Sequence, residues 1–312
     1  MSKKKKNKEQ ENEDIFSYPT PAYKPRKKRF GDRKDGRRLR TLTPYNYVIP
    51  YIMKVRADSQ NHFEDVLDIT AAEKYLDKKR KEGYTEMGLL HLFLASYVRL
   101  VSERPAVNRF IAGQKIYARN NIQGVMTIKK RLAIDSPDTS IKVTFDPRDS
   151  VPVVYQKFQA AVEKATSSTT DFDNTARLLT KIPGLLFRFT IGFLRFLDYF
   201  GKIPNSLVKV SPFHGSFVIT SMGSLGINAI YHHLYDFGNI PVFISYGKIF
   251  SQDVTLLDGT VEHHHFVTLR IVTDERICDG YYYASAFKKL KRYMLNPDLL
   301  DTPVTHVTED VD

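Results

Sequence analysis

The last third of the chain is rich in strand patterns, and these limit its possible folds more than any other feature. Three β-branched or alternating runs, 216–226, 241–250 and 264–274, are separated by turn residues and followed by an amphipathic helix over 281–297. Helix and strand patterns also alternate upstream, with predicted helices at 71–83, 86–104 and 153–166 and predicted strands at 63–70, 113–120, 122–132 and 139–146. We expect 113–120 to pair with 122–132. The alternation predicts one α/β body in which helices cover a mixed β-sheet.

The positive charge of the chain is concentrated at its N-terminus. Residues 1–40 hold 15 Lys or Arg and 6 Asp or Glu, whereas the other 272 residues hold 32 and 29. A segment with so many charges and so few aliphatic residues does not bury enough apolar surface to offset the entropy of ordering. We therefore expect a disordered basic arm over 1–40, with contact to nucleic acid or to an anionic membrane as the alternative role.

The single cysteine and the grouped histidines limit the disulfides and the metal sites that the chain could form. Cys278 has no partner for an intrachain disulfide, which favours a reducing, cytoplasmic location. The run His263–His265 lies in a predicted strand, and His232 and His233 are adjacent, so neither group has the helical spacing of zinc hydrolases. We expect no metal.

An unusual apolar stretch separates the two halves of the predicted sheet. Large apolar residues recur at helical spacing from Leu185 to Phe200, interrupted by Arg188, Arg195 and Asp198. Three charges in so short a stretch argue against a membrane span. We expect a helix that packs on the core or across a subunit contact, with a helix lying on a membrane surface as the alternative.

The segment "DERICDGYYYASAFKKL" (274–290) joins the end of a strand to a helix. It resembles the His-x-x-x-Asp-Gly motif of the chloramphenicol acetyltransferase superfamily, and most closely the acyltransferase catalytic domain of 2-oxoacid dehydrogenase complexes. Asp274, Arg276, Asp279 and Gly280 match that form, while Glu275 replaces the histidine. Stretches 67–70, 102–128, 216–226 and 241–249 also match in order, so the resemblance covers 45–298. No stretch resembles a lipoyl or subunit-binding domain.

The resemblance implies an α/β two-layer sandwich with a mixed β-sheet. It divides the chain into the basic arm (1–40), a stand-alone acyltransferase-like domain (41–300) and an acidic C-terminal tail (301–312). It further implies a homotrimer whose active sites lie in channels between subunits, with coenzyme A, as acyl-CoA, entering one side and an unknown acceptor the other. The implied function is acyl transfer from acyl-CoA.

The same resemblance assigns roles to individual residues. Glu275 takes the general-base position, and Thr220 is the oxyanion donor, with its neighbour Ser221 as the second candidate. Asp279 is the structural acid, and its implied partner is an arginine near the start of the domain. Candidates for that partner are Arg40 and Arg38, and Arg276 lies beside the base position.

The glutamate leaves three hypotheses for the function. A carboxylate with an ordinary pKa of about 4.3 matches a thiol near 8.5 less well than an imidazole does. Glu275 is therefore a substitute base in a working enzyme, or the chain is an inactive pseudo-enzyme that binds ligands or forms a trimeric scaffold. In the third hypothesis another residue carries out the catalysis. His232 or His233 then lines the channel, since "HHLYD" (232–236) repeats the His-x-x-x-Asp spacing.

Overall fold

The computed structural model of the chain describes residues 18, 21–23, 26–129, 138–167, 173 and 177–312. Its main sheet has six strands. In chain order they are β2 (Gln60–Asp68), β5 (Ile122–Lys129), β6 (Asp138–Phe145), β7 (Phe217–Ser221), β8 (Val242–Thr255) and β9 (Val261–Asp274). They lie in the order β2-β9-β8-β7-β5-β6, with β7 parallel to both of its neighbours and the other pairs antiparallel. The sheet is therefore mixed, as expected.

Helices cover one face of this sheet, and the larger hydrophobic core lies between the two layers. The helices are α1 (Pro44–Ile52), α2 (Thr70–Lys81), α3 (Leu89–Glu103), α4 (Val151–Ser167), α5 (Gly184–Tyr199), α6 (Asn205–Val210) and α7 (Gly280–Leu295). Helix α3 is the central one, since twelve of its fifteen residues are buried. Its aromatic side chains reach the strands: the Tyr97 ring lies 4.1 Å from Phe217 and the Phe93 ring 4.8 Å from Tyr246. The two-layer α/β sandwich is confirmed.

A second, smaller sheet corrects the expected strand pairing. Strand β4 (Lys115–Arg119) pairs with β1 (Gly36–Arg38) and β3 (Arg109–Ala112), not with β5 as the sequence pattern suggested. The physical reason lies in one tight turn with two left-handed residues. Gly113 has a φ of +55° and Gln114 of +57°, which closes a β3–β4 hairpin before the chain reaches the main sheet.

The same sheet corrects the expected boundary of the basic arm. The composition predicts a disordered arm over 1–40, but 36–38 form β1 and Arg33 is buried between Asp35 and Asp198. Charged side chains become part of a fold when each has an opposite charge within hydrogen-bond distance. Most of the remaining arm lies outside the described residues.

The acidic tail folds back onto the N-terminal segment. Asp310 forms two hydrogen bonds with Arg109, at 2.7 and 2.6 Å, and the main-chain oxygen of Asp312 accepts from Arg40 and Thr41, at 2.8 Å each. The tail is thus a packed segment held by buried and exposed ion pairs. Among the described residues, no helix combines the length and the apolar character needed to cross a bilayer.

Candidate active site

The turn after β9 carries the motif residues and is fixed by a buried ion pair. Arg276 donates to Asp274 through Nε, at 2.8 Å, and Nη2, at 2.7 Å, and both side chains are almost fully buried. Arg276 also donates to the carbonyl of Met53 at 3.0 Å, and Tyr283 donates its hydroxyl to the carbonyl of Asp274 at 3.0 Å. Such a pair is stable in the interior only when its remaining hydrogen-bonding groups are also satisfied. Arg276 is therefore a structural residue whose charge Asp274 balances.

Glu275 points away from this pair. Its main-chain N–H donates to the carbonyl of Ser59 at 2.8 Å, which holds the turn against the start of β2. Its side chain is exposed on the surface of the protomer. Because Asp274 and Arg276 turn inward, the residue between them faces outward, and its carboxylate is available to a ligand or to another copy of the chain.

Asp279 caps helix α7. Its Oδ1 accepts from the main-chain N–H of Tyr282 at 2.7 Å, a normal N-cap contact. The expected ion pair with Arg40 or Arg38 is wrong: Arg40 instead binds Asp32, with Nη2 2.8 Å from Oδ1, because both belong to the segment around β1. Asp279 therefore caps a helix and does not form the ion pair with an arginine that the resemblance implied.

A different arginine–carboxylate pair supports the motif. Arg109 donates to the carbonyl of Ile277 at 3.1 Å and is paired with Asp310 of the C-terminal tail. Sequence reasoning missed this pair, since no local spacing connects residues 109 and 310. The only available signal was the acidic character of the tail.

Thr220 and Ser221 lie at the end of β7, just before a tight turn. Both are half-buried, and the Thr220 hydroxyl has only a long contact, 3.8 Å, to the sulfur of Met222. The turn depends on Gly223: a Cβ there would lie 2.4 Å from the carbonyl oxygen of Gly247 on β8. The turn therefore leaves the Thr220 hydroxyl without a strong partner inside its own chain, in the part that the structure describes.

Strand register places Glu275 and Thr220 far apart within one chain. Thr220 is level with Ser245 on β8, which is level with Arg270 on β9, and Glu275 follows five residues later. At 3.3 Å per residue and 4.8 Å per strand, the separation is about 16 Å along the strands and about 10 Å across them. A single chain does not bring these two residues together, so any site that uses both must form between copies.

A surface cavity lies close to each of the two positions, and it is lined by the neighbouring residue, Arg276 in one case and Ser221 in the other. The cavity near Glu275 has a volume of about 370 Å³, and the residues that line it include Lys54, Arg56, Gly113, Arg195, Asp198, Asp236 and Arg276. The cavity beside Ser221 has a volume of about 670 Å³, and its lining includes Leu76, Leu89, Gly223, Tyr246 and Gly247. The first carries more positive than negative side chains, while the second combines an apolar wall with the charged side chains of Glu73, Asp77 and Arg80.

The alternative histidines are held by other contacts. The His232 ring stacks on Phe243 at 4.0 Å, and its Nδ1 donates to the carbonyl of His233 at 2.8 Å. Partial burial lowers the pKa of His232, so the ring is neutral near pH 7. Neither histidine lines either of the two cavities.

The Asp236 carboxylate of the same segment accepts from the main-chain N–H of Arg56 at 2.9 Å, a structural contact that sequence spacing did not suggest.

Residues that would hold a metal do not come together. Among the described residues, no group of three or more His, Cys, Asp or Glu side chains is placed to hold a metal ion. The strand histidines pair with carboxylates instead, and His264 Nδ1 lies 2.5 Å from Asp68. Cys278 is buried next to the motif, and burial raises the pKa of its thiol.

Comparison with known proteins identifies the fold. No family model matches the sequence, and no curated protein matches it either. The cubic core of a pyruvate dehydrogenase multienzyme complex is similar in structure, with a TM-score of 0.55 at 14% identity over 82% of this chain and 88% of that one. A probable dihydrolipoamide acetyltransferase from Listeria monocytogenes gives 0.52 at 17% identity, over 82% and 94% of the two chains.

A chloramphenicol acetyltransferase gives a TM-score of 0.50 at 10% identity, covering 80% of this chain and 94% of that one. The chain thus has the chloramphenicol acetyltransferase-like fold, which confirms the resemblance seen in the sequence at the level of the fold. More specifically, the acyltransferase cores of 2-oxoacid dehydrogenase complexes are among the structures it resembles.

Proposed function

We propose that the chain is a CoA-dependent acyltransferase that works as an assembly of identical copies. One observation carries the proposal: within one chain Glu275 and the Thr220–Ser221 turn lie far apart along the strands, and a surface cavity lies close to each of them. Two such half-sites are complementary only when one copy presents Glu275 to the Thr220 of the next.

We propose that this contact is heterologous, so that each copy presents its Glu275 to the Thr220 of the next copy around a ring. Heterologous contacts close into rings when the rotation between copies allows it, and a homotrimer is the smallest closed ring of this kind. Support comes from a similar solved structure that is itself the core of a multienzyme assembly.

The proposed chemistry assigns one step to each half-site. The carboxylate of Glu275 takes the proton from a thiol, hydroxyl or amine of the acceptor, whose freed electron pair attacks the thioester carbonyl of acyl-CoA. Thr220, or Ser221 beside it, donates a hydrogen bond to the oxyanion of the tetrahedral intermediate. The intermediate collapses with loss of the CoA thiolate, which receives the proton back from Glu275.

A carboxylate is suited to this role only when it is desolvated. Removal from water disfavours the charged form of a carboxylate and makes it a stronger base. Glu275 is exposed in the single chain, so the boundary between copies would supply the desolvation. Assembly and basicity are therefore linked in this proposal.

The test is release of free CoA from acetyl-CoA in the presence of thiol, hydroxyl and amine acceptors. Loss of a general base lowers the rate by about 100-fold or more, so Glu275→Gln is expected to lose most of the activity. Glu275→His, which provides an imidazole, is expected to keep or raise it. Glu86→Gln is the matched control, because Glu86 is an exposed glutamate that lines neither of the two cavities.

Equal rates for the wild type, Glu275→Gln and Glu86→Gln would remove Glu275 from the mechanism. A wild type without turnover, combined with CoA binding in calorimetry and turnover by Glu275→His, would instead identify an inactive relative that acts as a ligand-binding or scaffold protein. That second function would be favoured by the same structural fact, the glutamate at the base position.

A further inference from the structure

Helix α5 exposes a continuous apolar stripe to solvent. No residue of the helix is buried, and six large side chains are each at least 50% exposed: Leu185, Leu186, Phe189, Phe193, Phe196 and Phe200. These six fall within a sector of about 100° on the helix surface. The sequence-based expectation of a helix packed on the core is therefore wrong for this face.

The opposite side of α5 holds the helix on the protein. Phe187, Ile191 and Leu194 are half-buried there. At the C-terminal end, Asp198 pairs with the buried Arg33 at 2.6 Å, and the hydroxyl of Tyr199 donates to Gln114 at 3.0 Å. The exposed stripe therefore belongs to a helix with fixed orientation, since its inner side and its C-terminal end are both anchored.

Positive charges accompany the stripe at regular spacing. A Lys or Arg occurs at every seventh residue through this segment, and all five are exposed: Lys181, Arg188, Arg195, Lys202 and Lys209. In the described part of the chain, none of them forms an ion pair with a carboxylate. The one acidic residue between 177 and 210 is Asp198, and Arg33 already pairs with it.

We propose that α5 docks on an anionic phospholipid surface, with its apolar stripe at the level of the upper acyl chains and its cations at the phosphates. An amphipathic helix with Phe and Leu on one side and Lys or Arg beside them has the properties of an interfacial helix. Each cation near such a surface adds favourable electrostatic energy. Arg188 and Arg195 have long aliphatic stems, which let their charged ends reach the phosphates while the neighbouring aromatic rings go deeper.

Charge argues against a second copy of the chain as the occupant. Two copies that met through α5 would bring two sets of five unpaired cations into contact, and like charges across an interface are unfavourable. An anionic surface neutralises the same charges. The docked surface would lie close to the cavity near Glu275, because Arg195, Asp198 and Tyr199 of α5 line that cavity.

Vesicle flotation of the full chain tests the proposal. We expect binding to vesicles of phosphatidylcholine with phosphatidylglycerol to be at least about tenfold tighter than to phosphatidylcholine alone at low ionic strength. A triple variant, Phe189→Ser, Phe193→Ser and Phe196→Ser, is expected to lose this binding with the basic arm intact. The matched control replaces three exposed apolar residues elsewhere, Leu225, Leu257 and Val261, by serine and is expected to bind as the wild type does.

A fluorescent probe gives a second readout that does not depend on loss of binding. The chain contains no tryptophan, so Phe193→Trp introduces a unique reporter on the stripe and Leu257→Trp a matched one on the β8–β9 hairpin. We expect a blue shift and quenching by brominated lipid for Phe193→Trp only.

Two results would overturn the proposal. One is wild-type flotation by the triple serine variant, which would assign vesicle binding to another part of the chain. The other is an unshifted Phe193→Trp spectrum with vesicles, together with a smaller particle mass of the triple variant in light scattering. That combination would make α5 a contact between copies.

Discussion

Asp274 and Arg276, two residues apart, form a buried two-bond ion pair directly beneath the exposed side chain of Glu275. The pair links the end of β9 to the carbonyl of Met53 after α1, and through Ser59 the same turn contacts the start of β2. The pair therefore fixes the shape of the turn that carries Glu275.

Breaking this pair should destabilise the protein strongly. Arg276→Met leaves the Asp274 carboxylate buried without its main partner, and the expected loss in the free energy of unfolding is about 3–5 kcal/mol. Lys291→Met breaks an exposed ion pair with Asp65 and should cost less than about 1 kcal/mol. Urea denaturation of both variants measures the difference. Similar midpoints for the two would show that the buried pair contributes little to stability.

If the active sites are shared between copies, mixing two inactive variants should restore part of the activity. A chain with Glu275→Gln still supplies Thr220, and a chain with Thr220→Val still supplies Glu275. In randomly mixed rings, about one quarter of the boundaries would contain both intact residues, so about one quarter of the wild-type activity should return. Co-expression with two different affinity tags provides the mixed assemblies. Activity that stays at the level of the separate variants would mean that each site lies within one chain.

Two glycines should respond in opposite directions to alanine. At Gly223 a Cβ would lie 2.4 Å from the carbonyl oxygen of Gly247, so Gly223→Ala must shift the turn after Thr220 and is expected to cost about 1–3 kcal/mol. At Gly192, within α5, a Cβ meets no atom within 4 Å, and Gly192→Ala should stabilise the protein by about 0.5–1 kcal/mol. Thermal unfolding compares the two, and a neutral Gly223→Ala would contradict the close approach of β7 and β8.

Buried histidines should make the protein less stable in mild acid. Burial lowers the pKa of His91 to about 4, against about 6.5 in an unfolded chain. Above pH 6.5 the imidazole is neutral in both states. As the pH falls toward 4 the unfolded chain binds a proton that the folded chain does not, so stability declines by up to about 1.4 kcal/mol per pH unit.

His91→Asn keeps an acceptor for the N–H of Gly88 and removes the titration. Its stability should therefore fall less steeply than that of the wild type between about pH 6.5 and about pH 4.5. Part of the slope should remain, because burial also lowers the pKa of His214, to about 3. Parallel stability curves for wild type and variant would show that His91 titrates alike in both states.

The sequence predicted the fold where local pattern and burial coincide. The strands β8 and β9, the buried helix α3 and the strand–turn–helix around Asp279 are confirmed, because in each segment the apolar residues and the turn residues favour the same structure. The pairing of β4 was missed because two neighbouring strands with a short connection normally pair, and only the left-handed residues 113 and 114 redirect the chain.

The candidate site residues come from a motif in the sequence and their roles stay predictions, whereas the contacts that hold the motif in place could not be predicted. Glu275, Thr220 and Asp279 follow from residue types at a recognisable spacing. The contacts around the motif, among them Arg109 with Asp310 and the main-chain N–H of Arg56 with Asp236, join residues that are far apart along the chain, so only the folded structure brings them together. The order in the segment 26–40 has the same origin, since the buried Arg33 is paired with Asp198, far away along the chain, as well as with the nearby Asp35.

The single cysteine has a practical consequence. Cys278 is buried, and burial raises the pKa of its thiol, so the native chain should react very slowly with thiol reagents. Cysteines introduced at positions 220 and 275 would then be the reactive thiols of the protein, and a disulfide formed between them would join two neighbouring chains. On a non-reducing gel, the mass of the largest disulfide-linked species would show how many copies form the proposed ring.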